Sequence, residues 1–167
     1  MKSSSWKTEL RRMKLESIKA KAPGFFELSG GYEMKIKPYN DNTANGLTSA
    51  IIDWITFCGG TATRINTQGQ VRKEKIQLAF GNVREIMRYT PSTTRKGTAD
   101  IMGVMKGRHL SIEVKIGKDR LSEAQLAEQS RIINAGGLYY VATDMIRFVT
   151  WFNETFYKNT EMVITIK

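Results

Sequence analysis

The chain has 167 residues, 41% hydrophobic and 25% charged, a globular balance at the size of one ordinary domain. Lys and Arg number 26 against 16 Asp and Glu, and a formal net charge of +10 usually meets a polyanion, nucleic acid before a membrane surface. A single cysteine, Cys58, and a single histidine, His109, exclude intrachain disulfides, Cys/His zinc sites and mechanisms needing two histidines, which leaves carboxylates to carry chemistry.

Residues 1–22 are polar and basic, and Trp6, Leu10, Met13 and Ile18 form only a loose helical stripe before Pro23-Gly24 interrupts it. The stretch reads as a basic extension over 1–44, with a short strand around 32–36 and an Asn/Asp/Thr loop at 40–45 that leads into a helix. The folded domain is expected over 45–167. Apolar runs are broken by charge well before the roughly 20 residues that cross a bilayer, and the N-terminus lacks a signal-peptide core, so a cytoplasmic location without membrane contact is expected.

From Leu47 the apolar positions Leu47, Ala50, Ile51, Trp54, Ile55 and Cys58 share one helix face, and Gly59-Gly60 stops it. Cys58 on that face reads as a small buried hydrophobe. Residues 61–67, β-branched and alternating, precede a turn at Gly69 and a second extended run to Phe80, so these two segments are expected to pair with each other. Between Arg64 and Lys96 eight basic residues face only two acids. That tract is either a solvated face or a track for phosphates.

Residues 108–116 alternate, with Leu110, Ile112, Val114 and Ile116 on one face and His109, Ser111, Glu113 and Lys115 on the other. Residues 99–105 are also strand-like, and Lys106-Gly107 fits a two-residue hairpin loop, although Lys is not favoured in its first position. In that register Met105 faces Arg108, and Asp100 lies opposite Glu113. Two carboxylates facing each other across an antiparallel pair are destabilising without a cation between them, and Mg²⁺ is the natural hard ion. Lys115 shares their face and can stabilise a phosphoryl transition state or orient the attacking water. Taken singly, Glu113 and Lys115 also read as a solvated strand pair and Asp100 as a turn residue, and a longer loop would slip the register.

Ser122 followed by Gln125 is a capping box, so Gln125 reads either as a helix cap or as a site residue. That helix is expected to end at Gly136-Gly137, followed by a strand over 138–142. A last helix over 144–157 should turn Ile146, Phe148, Val149, Phe152 and Phe156 inward, and residues 162–166 read as an edge strand. Strand, strand, helix, strand is an α/β layout.

Gly97-Thr98-Ala99-Asp100, Ile112-Glu113-Val114-Lys115 and Gly117-Lys118-Asp119-Arg120-Leu121-Ser122-Glu123-Ala124-Gln125 together resemble the PD-(D/E)XK nucleases. Within them the chain looks like the VRR-NUC group, the virus-type replication and repair nucleases, in the short stand-alone form of phages, which would place it in the host cytoplasm. The resemblance covers roughly residues 45–142. It implies a restriction-endonuclease-like core, a mixed sheet flanked by helices, with Asp100 and Glu113 as metal ligands, Lys115 at the attacking water and Gln125 supporting the site. Many members carry a Glu on the first helix; here Asn45 stands nearby, able to offer only an amide oxygen to a metal such as Mg²⁺ or the tighter-binding Mn²⁺. Arg64 and Asn66 fall where the family's fold exposes residues towards substrate.

The leading expectation is therefore a Mg²⁺-dependent deoxyribonuclease, with Arg95, Lys96, Lys118 and Arg120 gripping phosphates. The resemblance implies branched substrates, such as flaps or Holliday-type junctions, and a homodimer. Two alternatives stand beside it: a nucleic-acid-binding module impaired by the missing first-helix carboxylate, and an RNA nuclease.

Overall fold

A computed structural model describes residues 5–24, 35–65, 70–77, 83–90 and 94–158. Its organising element is the hairpin of β4 (Ile101–Met105) and β5 (Arg108–Val114), paired as the alternation requires, Met105 with Arg108 and Ile101 with Ile112. Lys106 and Gly107 both take positive φ, 47° and 74°, the geometry that matches the right-handed twist of the flanking strands. The unfavoured Lys106 has compensation. Its Nζ donates to the Phe156 carbonyl at 2.7 Å and lies 4.0 Å from the centre of the Tyr157 ring.

Strand β1 (Thr61–Arg64) adds antiparallel to β4, and β6 (Leu138–Ala142) adds parallel to β5, giving a mixed sheet in the order β1-β4-β5-β6. The parallel pair needs a crossover, and α3 (Glu123–Asn134) supplies it. The pairing expected between residues 61–67 and the next extended run does not form. Instead β2 (Gln70–Gln77) and β3 (Val83–Thr90) make a separate two-stranded ribbon inserted between β1 and β4. A sheet edge at β4 offers β1 a neighbour that buries Ala62 against the core, whereas both faces of the ribbon stay wet.

One sheet face, carrying Ile101, Met105, Leu110, Ile112, Val114 and Ala142, is sealed by α2 (Ala44–Phe57) and α4 (Met145–Phe156). α2 buries Leu47, Ala50, Ile51, Trp54 and Ile55, the expected stripe, and Gly59 with φ 85° follows its end. Cys58 is half-buried just beyond, and burial pushes its thiol up to about 11, as suits an inert small hydrophobe. In α4, Phe148, Val149, Phe152 and Phe156 point inward as expected, but Ile146 is exposed, one step off the buried arc that runs from Met145.

The basic N-terminal stretch folds into α1 (Ser5–Lys21) and contributes to this same core. Trp6 and Leu10 are fully buried against α2 and α4, so α1 shares the core of the elements that follow residue 44. Lys14 and Tyr39 converge on Asp53 of α2, with Lys14 Nζ 3.1 Å from Oδ2 and the Tyr39 hydroxyl donating to the same oxygen. Residues 35 and 36 are irregular rather than strand, while the rest of that expected strand, Asn66 and residues 162–166 lie outside the described residues. Among the described residues no helix is long and apolar enough to cross a membrane.

Candidate metal centre

The other face of the sheet is polar, and the hairpin register builds it. Continuing past Ile101 and Ile112 sets Asp100 across from Glu113 at the open end of β4 and β5. Two backbone bonds hold that end in place. The Ile65 N–H donates to the Asp100 carbonyl at 2.8 Å, and the Lys115 N–H donates to Ala142 at 2.9 Å, carrying both neighbouring strands up to the site. Asp100 Oδ2 in turn accepts the Val114 N–H at 3.0 Å, which clamps its carboxylate to β5.

Glu113 is only 2% exposed. Its Oε1 accepts from Gln125 Nε2 at 2.5 Å and lies 3.1 Å from Lys115 Nζ, while its Oε2 is buried without a hydrogen-bond partner. Burial raises the Glu113 carboxyl above the ordinary range and the charge of Asp100 raises it further; Lys115 and the Asp100 backbone pull it back only in part. Burial alone would favour the neutral amine of Lys115, but Glu113 and Asp119, the latter 3.4 Å away, outweigh it and hold the lysine as a cation. The resting Lys115 is thus suited to stabilising negative charge rather than to accepting a proton from water.

Gln125 forms the capping box and also contacts Glu113. Its Oε1 accepts the Ser122 N–H at 2.9 Å and closes the capping box, and its Nε2 reaches Glu113. One amide therefore fixes the start of α3 and orients a site carboxylate. The approach of α3 depends on Gly97, whose φ is 88° and where a Cβ would stand 2.3 Å from the Ala124 carbonyl oxygen. The glycine of the Gly97-Thr98-Ala99-Asp100 motif thus lets the backbone bearing Gln125 close on the strand bearing Asp100.

Sequence reasoning missed two residues on this face. Tyr139 on β6 is the parallel partner of Ser111, and its buried hydroxyl has no hydrogen-bond partner. Burial first, then the charges of Glu113, Asp100 and Glu128, keep that phenol protonated. Glu128, 6% exposed, is the one buried residue of α3, three positions after Gln125 and paired with Arg131 at 2.5 Å. A Gln and a Glu three apart on a helix share a face, which was the available signal.

Other expected site residues are more scattered. Asn45 is exposed in the first turn of α2. Arg64 pairs with Ile101, so it alternates onto the face opposite Asp100 and does not join the carboxylates. Arg95 and Lys96 are exposed just before Gly97, and Lys118 and Arg120 are exposed in the loop entering α3. Among the described residues no three His, Cys, Asp or Glu side chains form a metal-holding group. The donor set that is present nevertheless fits a hard divalent cation: two carboxylates, one with an orphaned buried oxygen. No family model matches the chain, and no curated protein matches it in sequence.

Proposed function

We propose that the chain is a metal-dependent nuclease of the PD-(D/E)XK type, similar to the VRR-NUC group, hydrolysing phosphodiester bonds in DNA. The observation that carries the reading is the pairing of Asp100 with the buried Glu113 beside the Lys115 cation, 3.1 Å from Glu113 Oε1. The helix, three antiparallel strands, crossover helix and parallel strand of the core also suit a restriction-endonuclease-like fold.

Asp100 and Glu113 would hold Mg²⁺ or Mn²⁺, with the remaining coordination left to water and phosphate oxygens, as Mg²⁺ tolerates. Such an ion supplies Lewis-acid stabilisation of charge on the reacting phosphate. Lys115 contributes a fixed positive charge at the same place, and Gln125 keeps Glu113 aimed. Arg95, Lys96, Lys118 and Arg120 border the site and would hold the backbone on either side of the scissile bond.

A second reading is a binding module without activity, favoured by one feature: where the resemblance implies a Glu on the first helix, that helix carries Asn45 and no carboxylate before Asp53. The test is cleavage of labelled single-stranded, duplex, flap and four-way-junction DNA, and of matching RNA, with Mg²⁺, Mn²⁺ or EDTA. Cleavage that requires both the metal and Lys115, lost in Lys115→Ala, supports the enzyme. No cleavage with any metal, alongside salt-sensitive binding, overturns it in favour of the module.

A further inference from the structure

The β2–β3 ribbon takes no part in the site, yet it is rooted there. It follows β1 in the chain, beyond Ile65, whose N–H donates to the Asp100 carbonyl, and β3 ends ten residues before Asp100. Each strand has eight residues, so the ribbon runs about 26 Å at roughly 3.3 Å per residue. Its side chains stand in solvent. Met87 is 72% exposed, Tyr89 64%, and Val71 and Val83 60% each; among its described side chains only Ile76 and Ile86 are half-buried.

Charge is distributed over both faces. Arg72 lies directly opposite Arg88, with Arg84 on the same face, while Lys73 and Lys75 occupy the other. Its two acids, Glu74 and Glu85, lie near Arg88 at 3.2 Å and Lys75 at 3.8 Å, leaving a surplus of three positive charges in 16 residues. The cores of protein interfaces are depleted in lysine, so cations on both faces fit a cleft with two phosphate walls better than a protein partner.

We infer that the β2–β3 ribbon is a docking arm that lies in the major groove of duplex DNA and so makes B-form duplex the nucleic acid delivered to the site. That groove, about 12 Å wide, admits a two-stranded ribbon, whereas the deep, narrow major groove of A-form RNA does not. The ribbon therefore distinguishes DNA from RNA by shape, although phosphodiester chemistry at Asp100 and Glu113 would not. Arg72, Arg84 and Arg88 meet phosphates on one side, and Lys73 and Lys75 meet them on the other. The inference deepens the nuclease reading by naming its substrate class, and a binding measurement separates the two.

The experiment measures binding of the full chain, in EDTA, to a labelled 30-base-pair DNA duplex, the same sequence as double-stranded RNA, and single-stranded DNA, over a salt series. Wild type should prefer duplex DNA over duplex RNA at least 10-fold. The variant Arg72→Gln/Arg84→Gln/Arg88→Gln, exposed at every site, should lose that preference, and its log–log salt slope should fall by about 2–3, near 0.9 per phosphate contact. A wild type that binds in this ribbon-dependent way yet shows no cleavage with any metal would sink the nuclease reading alone. Equal binding of the two duplexes by wild type, or an unchanged slope in the triple variant, overturns the arm. So does a wild-type dimer that Met87→Ser/Tyr89→Ser converts to monomer while the slope of the arginine variant stays unchanged, which would assign the ribbon to a second copy of the chain.

Discussion

Removing the Gln125 amide should cost more than removing the cap to which it belongs, and the excess should depend on Glu113. Ser122→Ala loses the hydroxyl that accepts the Gln125 N–H at 3.4 Å but leaves Gln125 Oε1 on the Ser122 N–H. That loss is about 1 kcal/mol, a fall in Tm of about 3 °C for a chain of this size. Gln125→Ala loses the reciprocal cap and also the bond from Nε2 to Glu113 Oε1 at 2.5 Å. A hydrogen bond to a charged group contributes about 1.5–3 kcal/mol, so the total is about 3 kcal/mol and the fall in Tm about 10 °C. Urea unfolding of Gln125→Ala, Glu113→Ala and the double variant should give a coupling energy of about 1.5 kcal/mol. Cleavage should follow the same division, near wild type in Ser122→Ala and reduced about 10- to 100-fold in Gln125→Ala, the usual loss when the residue orienting a metal ligand is removed. A coupling below about 0.5 kcal/mol, with equal activities in the two single variants, would refute a role for Gln125 beyond the helix end.

Relative to Glu113→Gln, metal-free wild type should gain stability as pH falls from neutrality towards the ordinary carboxyl value of 4.5. The Glu113 carboxyl is raised in the fold above its ordinary 4.5, so the native state takes up the proton first and the cost of its buried charge disappears as pH drops through the raised value. Guanidinium unfolding across that range checks the sign, and the opposite trend would contradict it. The same proton competes with a cation, so the Mn²⁺-induced rise in Tm should shrink over the same interval and be absent in Glu113→Gln. Gly97→Ala should lose about 2–4 kcal/mol and most activity, because it strains a backbone at φ 88° and drives a methyl into the Ala124 carbonyl. Lys106→Met should lose about 1 kcal/mol through its missing bond to Phe156, a change of a few degrees in Tm with cleavage intact.

The sequence by itself determined the hairpin and, given the two-residue loop that the structure forms, its register and the facing of Asp100 and Glu113. It likewise determined α2, from a stripe at helical spacing, and the start of α3, from a capping box whose partners are three residues apart. These are local rules acting over a few residues. Tertiary structure alone decided that β1 pairs with β4 across the inserted ribbon, and this sent Arg64 to the face away from the carboxylates. It also decided that Trp6 and Leu10 enter the core: two apolar residues in a basic helix have weak periodicity, and only the groove formed by α2 and α4 gives them somewhere to be buried. Tyr139 and Glu128 come together for the same reason, since parallel pairing of β6 with β5 and the crossover of α3 gather on one face residues that lie 26 and 15 positions beyond Glu113 in the chain. Contacts over such separations depend on which surfaces remain unburied once the local elements exist, and no local pattern encodes that choice.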